Sequence, residues 1–196
     1  MNRFYTFLFW SSFTVTFSFI GCKSDTKTTV TKKKSEVFTT YNCTFEATNS
    51  PPPRKIRFDR FEDLLDIDND ILYIYTFFSL DCQRCIEKMA CYEQIYQELK
   101  TDNNIKLMYV NLDASKDAEG KIKPFLQKGG FSGQVITLDI ARPEMIHKFI
   151  DEDWNGKLPA TLFVDNSQET WMFYEKTFDY QELKAVIQPL LTFKNL

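Results

Sequence analysis

The stretch that decides the fold runs from Ile71 to Cys85 and reads I-L-Y-I-Y-T-F-F-S-L-D-C-Q-R-C. Residues 71–78 are almost wholly apolar, which is typical of a strand buried on both faces of a sheet. The residues that follow Cys82 place apolar side chains at helical spacing. The sequence therefore predicts a buried strand that leads into a helix, with Cys82 and Cys85 at the start of that helix.

The predicted helix gives the two cysteines unequal roles. A helix N-terminus carries about half a positive elementary charge and unpaired N–H groups, which favour a thiolate over a thiol. Cys82 is the predicted nucleophile, and Cys85, one turn later, can close a disulfide on it. At about 100° per residue, Cys85 lies on the core-facing stripe of the helix. We therefore expect Cys85 to be shielded and Cys82 to be more open.

Strands and helices alternate along the rest of the chain. Strands are predicted at 37–45, 105–112 and 135–140, and helices at 58–65, 121–128 and 143–151. Residues 160–164 and 170–176 flank a turn and predict an antiparallel hairpin. A final helix begins near Asp179 and is expected to kink or end at Pro189. This order predicts an α/β fold in which a central mixed sheet is covered by helices on both faces and extended by an N-terminal strand.

The N-terminus has the features of an export signal. Arg3 precedes an uncharged, Phe-rich stretch that ends at Gly21-Cys22, which resembles the lipoprotein signal of bacteria. Residues 1–22 are therefore interpreted as a signal peptide with lipid attachment at Cys22. An uncleaved membrane anchor and simple secretion are the alternatives. The Lys/Thr/Ser-rich residues 23–35 are expected to form a flexible tether, and residues 36–196 the folded domain.

A second motif, Trp154-Asn155-Gly156-Lys157-Leu158-Pro159-Ala160-Thr161, completes a family pattern. With the C-Q-R-C helix start, the chain resembles the membrane-anchored thioredoxin-like (TlpA-like) thiol–disulfide oxidoreductases of bacterial envelopes over about residues 36–193. The resemblance implies a thioredoxin-like fold and a cis Pro159 that faces the cysteine pair. It also implies substrate contacts from Leu158, Ala160 and Trp154.

The chain departs from that family near the cysteines. Asp81 replaces a tryptophan and opposes a thiolate at Cys82, and Arg84 is a candidate to offset that charge. A family carboxylate that assists proton transfer is replaced by a lysine, so Glu87, one residue earlier, is an uncertain substitute. Thr76 stands where thioredoxins carry a buried aspartate. The proton acceptor is therefore unassigned.

These features predict dithiol–disulfide exchange on exported proteins. The expected direction is reduction, with a thiol electron donor, no metal or organic cofactor, and a periplasm-facing envelope location with a lipid anchor in the membrane. The formal charge of −3 is too mild to suggest a nucleic-acid partner. One alternative is a copper metallochaperone that uses Cys82, Cys85 and His147. Another is a non-catalytic binding lipoprotein.

Two further cysteines have no assigned chemistry. Cys43 and Cys91 either pair with each other or remain buried as small apolar groups. Cys91 points away from the stripe that carries Cys85 and lies too far along the helix to bond with it. The sequence leaves both alternatives open.

Overall fold

The computed structural model describes residues 43–45, 48–101, 104–113, 118–139 and 144–192. The predicted signal peptide (1–22) and tether (23–35) lie outside the described residues, so lipid attachment at Cys22 stays a prediction. Among the helices that the structure describes, none has the length and apolar character needed to cross a membrane.

Six strands form one sheet in the order β1-β4-β3-β2-β5-β6. The strands are β1 (Arg54–Arg57), β2 (Leu72–Phe78), β3 (Ile105–Asn111), β4 (Gln134–Asp139), β5 (Ala160–Asp165) and β6 (Thr170–Tyr174). The helices are α1 (Phe58–Leu65), α2 (Gln83–Leu99), α3 (Ala118–Gly129), α4 (Glu144–Ile150) and α5 (Tyr180–Thr192). A short 3₁₀ turn, Asn166–Gln168, joins β5 to β6.

The sheet is mixed, as the sequence predicts. Strands β1, β4, β3 and β2 are parallel, whereas β5 runs antiparallel to β2 and β6 antiparallel to β5. Every residue of β2 is buried because the strand has neighbours on both sides and helices on both faces. The C-terminal end of this central strand leads directly into the turn that carries Cys82.

Side chains alternate between two cores, one on each face of the sheet. From β2, Leu72, Ile74 and Phe78 join a core formed with α2, α3 and α5. Tyr73, Tyr75 and Phe77 join the opposite core, which contains residues of α1 and α4. Cys85 belongs to the first core, so the cysteine pair lies on the face covered by α2.

The observed elements differ from the predicted ones at an edge strand, at residues 43–45 and at the end of the last helix. The edge strand β1 was not predicted because its sequence, RKIR, contains a single apolar residue and so lacks the alternation of a buried strand. Most of the strand predicted at 37–45 lies outside the described residues, and the described part, 43–45, forms no strand. Of the two effects predicted for Pro189, a kink or an end of the last helix, the end is wrong, because the helix continues to Thr192. Burial of Leu191 in the core offsets the hydrogen bond that proline removes.

A disulfide between Cys43 and Cys91 fixes residues 43–45 to α2, with Cα atoms 4.8 Å apart. The Phe45 ring stacks on Phe131 at 5.7 Å between centroids. This cover leaves Cys91 only 2% exposed although it lies off the core-facing stripe of α2. Of the two alternatives open from the sequence, the structure has the disulfide.

Candidate active site

Cys82 and Cys85 form a disulfide at the start of α2, with Cα atoms 5.3 Å apart. Cys82 is the residue just before the helix, and Cys85 lies in its first turn. Cys82 is partly exposed, whereas Cys85 is 3% exposed because it faces the core. The unequal exposure expected from the helical stripe is confirmed.

Backbone N–H groups of α2 donate hydrogen bonds to the sulfur and to the carbonyl of Cys82. The Cys85 N–H donates to the Cys82 Sγ at 3.3 Å. The Cys82 carbonyl accepts from the Cys85 and Ile86 N–H groups at 2.9 and 3.1 Å. When the disulfide opens, the same helix end favours negative charge on the outer sulfur. The geometry therefore suits a Cys82 thiolate.

The turn between β2 and α2 is held by Asp113, just after β3. The Asp113 Oδ2 accepts from the Leu80 N–H at 3.0 Å and from the Asn111 Nδ2 at 2.8 Å. The Leu112 N–H donates to the Phe78 carbonyl at 2.9 Å. These bonds hold the turn that precedes Cys82 against the end of β3. Sequence reasoning did not identify Asp113, although it directly follows a predicted buried strand.

The loop before β5 contains Pro159, the second predicted site element after the cysteine pair. The Leu158–Pro159 peptide bond is cis, as the family resemblance implies, and Pro159 is buried. Leu158 packs against both cores, including the one that contains Cys85. The loop therefore lies at the edge between the two faces of the sheet, and one of its contacts is with the face that carries the cysteine pair.

Trp154 joins this loop to the core of the protein. Its indole Nε1 donates to the Lys157 carbonyl at 3.0 Å, and its ring packs 5.1 Å from Phe77 between centroids. Trp154 was expected to touch substrate, but it is only 2% exposed and has almost no surface that a substrate could contact. Ala160 is likewise fully buried, whereas Leu158 is partly exposed.

His147 packs against Trp154, with ring centroids 4.8 Å apart. Burial lowers the pKa of His147 below its usual value, and the nearby Glu144 carboxylate partly opposes that shift. The part of the chain that the structure describes contains no group of three His, Cys, Asp or Glu side chains placed to hold a metal ion. The metallochaperone alternative requires His147 to lie beside Cys82 and Cys85. These three side chains do not form such a group among the described residues.

A cleft of about 200 Å³ lies between the start of α2 and the loop before β5. Its described lining comes from Arg84 on α2, from residues 157–159, and from residues 175–177 between β6 and α5. Arg84, one of the two residues between the cysteines, and Pro159, the proline predicted to oppose them, therefore line one common cleft. The lining from residues 175–177 carried no sequence signal.

The charged candidates for proton transfer or pKa tuning, Asp81 and Glu87, lie on the surface, whereas Thr76 is buried. Asp81 is exposed one residue before Cys82 and is not part of the described cleft lining. Glu87 is exposed, and its Oε1 accepts from the Gln83 Nε2 at 3.0 Å. Thr76, at the position of the thioredoxin aspartate, is 3% exposed and pairs in register with Thr161 on β5. The proton-transfer role of Glu87 and the effect of Asp81 on the Cys82 thiolate stay predictions.

No protein-family model and no curated protein sequence matches this chain. Solved structures do match. A secreted thiol-disulfide isomerase from Corynebacterium glutamicum has a TM-score of 0.54 at 16% identity, covering 67% of this chain and 75% of that chain. A thioredoxin-related protein from Neisseria meningitidis serogroup B has a TM-score of 0.54 at 14% identity, covering 64% and 88%.

A thiol:disulfide interchange protein of the thioredoxin family from Chlorobium tepidum has a TM-score of 0.52 at 16% identity, covering 66% of this chain and 84% of that chain. At such identities the likeness is informative about the fold. The fold predicted from the two sequence motifs is confirmed: this chain has a thioredoxin-like fold, as these solved structures do.

Proposed function

We propose that this protein is a thiol–disulfide oxidoreductase whose reacting pair is Cys82 and Cys85. One observation carries the proposal. A partly exposed Cys82 at a helix start is bonded to a shielded Cys85, and Arg84, between the two cysteines in sequence, lines a cleft together with Pro159. A bond with only a structural role has no need for an open sulfur at a helix N-terminus next to a cleft.

The proposed reaction is a two-step exchange. In the dithiol form, the Cys82 thiolate attacks one sulfur of a substrate disulfide, and the other substrate sulfur leaves as a thiolate. The Cys85 thiolate then attacks the Cys82 sulfur, which closes the Cys82–Cys85 disulfide and releases the second substrate thiol. The substrate gains two electrons and the protein loses two. The disulfide form, which the structure contains, is the product of this reaction.

An external thiol donor must reduce the pair before each new cycle. We place the protein in the cell envelope, facing the periplasm and tethered through a lipid on Cys22, with exported proteins as substrates and reduction as the net direction. The sequence of residues 1–22 and the family resemblance support this placement. The proposed chemistry takes place between sulfur atoms and needs no cofactor.

The test compares three proteins in the reduction of a peptide disulfide, with dithiothreitol as donor. The wild type should accelerate the reduction, and Cys82→Ser should fall to the uncatalysed rate because the attacking sulfur is gone. Cys85→Ser keeps the nucleophile but cannot resolve the intermediate, so mass spectrometry should show a mixed disulfide on Cys82. Wild-type turnover by Cys82→Ser would refute the assignment.

A further inference from the structure

The charges around the cleft beside Cys82 are unbalanced. Arg84 and Lys157 are exposed, line the cleft, and take part in none of the ion pairs between described residues. The Lys176 Nζ is 3.0 Å from a Glu182 carboxylate oxygen and lies 4.4 Å from the Phe178 ring centroid, so this charge is already engaged. Glu175 is the acidic residue in the described lining.

The cleft lining has an excess of positive charge, whereas the whole chain has a formal charge of −3. Arg84 comes from α2 and Lys157 from the loop before Pro159, so the two unpaired cations come from different walls of the cleft. The cleft volume of about 200 Å³ limits its occupant to a short segment. The cleft is thus suited to a short, acidic stretch of polypeptide.

We infer that the cleft selects polypeptide substrates with a carboxylate side chain within a few residues of the cysteine that Cys82 attacks. Arg84 and Lys157 are the specificity-determining residues, and Glu175 limits the preference by repelling the same carboxylate. An arginine suits this role because its planar guanidinium can bind a carboxylate through two parallel hydrogen bonds. The inference rests on the proposed function, because it names the substrate class of that site.

The test uses peptides that share one disulfide and differ only in its flanks, which carry Asp and Glu, Asn and Gln, or Lys. At low ionic strength, kcat/KM should be highest for the acidic peptide and lowest for the Lys peptide. Removal of one exposed charge, as in Arg84→Gln or Lys157→Gln, should reduce the ratio of acidic to neutral kcat/KM by roughly threefold to fivefold. Glu175→Gln should raise the same ratio.

The matched control is Lys106→Gln. Lys106 is exposed near the start of β3, at the opposite end of the parallel strands from Cys82, so its loss should leave the ratio unchanged. Salt should remove the preference in the wild type, because the screening length falls from about 10 Å at 0.1 M to about 3 Å at 1 M.

The possible outcomes separate the two proposals. Equal kcat/KM for the three peptides, or a preference that survives both Arg84→Gln and Lys157→Gln, would overturn the inference while leaving the proposed function intact. If no peptide is reduced, the proposed function fails. Binding of the same peptides with serine in place of cysteine, followed by NMR, then still tests whether the cleft prefers acidic flanks, and equal binding would overturn that preference.

Discussion

The Tyr92 hydroxyl lies 2.8 Å from the Thr161 hydroxyl, in a buried contact between α2 and β5. The Tyr92 oxygen also accepts from the Phe178 N–H at 3.2 Å, and the Thr161 hydroxyl donates to the Lys176 carbonyl at 2.9 Å. One chain of hydrogen bonds thus joins the cysteine helix, the strand after Pro159 and the segment that completes the cleft. Burial raises the pKa of Tyr92 well above its usual value, so its hydroxyl remains a donor at neutral pH.

Tyr92→Phe should therefore loosen the cleft. The substitution leaves the buried Phe178 N–H without its acceptor, and we expect the free energy of unfolding to fall by about 1–3 kcal/mol. Urea denaturation measures the change. Tyr174→Phe is the control, because no hydrogen bond from the Tyr174 hydroxyl joins it to the described part of the chain. Equal stability of the two variants would contradict the structural role given to Tyr92.

Gly156 has a positive φ of 86°, and a Cβ there would clash with the His147 ring. Gly156→Ala should therefore lower the free energy of unfolding by about 1–3 kcal/mol. Gly120→Ala is the opposite case, because Gly120 lies in α3 with no atom within 4 Å of a Cβ. It should raise stability by up to about 1 kcal/mol. Thermal unfolding of both variants checks the contrast, and a Gly156→Ala protein as stable as the wild type would contradict it.

His147 is the single histidine of the chain, so its ring resonances report one site in an NMR titration. Burial lowers its pKa, and we expect the midpoint below 6.5. The unfolded chain then binds the proton more tightly than the folded protein. The stability that His147 contributes is therefore present above the unfolded pKa and decreases as the pH falls through about 6.5 and then through the lower folded pKa.

The corresponding stability measurement compares the wild type with His147→Gln between about pH 8 and pH 5. The wild type should lose more stability than the variant as the pH falls. A midpoint above 6.5, or parallel pH profiles, would show that the contact with Trp154 does not disfavour the charged ring.

The Cys43–Cys91 disulfide joins residues that are 48 positions apart. A cross-link of this span restricts the unfolded chain, and the chain-entropy model gives a stabilisation of about 4 kcal/mol. We expect the double variant Cys43→Ala/Cys91→Ala to lose about 2–4 kcal/mol of unfolding free energy, measured by guanidinium denaturation. A loss below about 0.5 kcal/mol would mean that this bond does not hold the segment 43–45 in the folded protein.

The local signals in the sequence were enough for much of the fold. The apolar run before Cys82 predicted β2, and helical spacing after it predicted α2 with Cys85 turned inward. The hairpin of β5 and β6 followed from two short apolar runs around a turn. In each of these elements, a periodicity of a few residues reports which side is buried.

What the sequence left open depends on contacts between distant segments. No local pattern pairs Cys43 with Cys91, and none predicts that Lys157 and Arg84 line one cleft. Trp154 was expected at the surface of the site because its position in the motif is close to Pro159. Packing against Phe77 and His147 places it in the core instead.

The two disulfides allow an internal comparison that tests the central proposal most directly. The protein is equilibrated in redox buffers of decreasing potential, thiols are blocked, and each pair is quantified by peptide mapping. We expect Cys82–Cys85 to open above about −300 mV, in the range of working pairs, while Cys43–Cys91 remains closed at that potential. A Cys82–Cys85 bond that persists well below about −300 mV would identify it as structural and contradict the account.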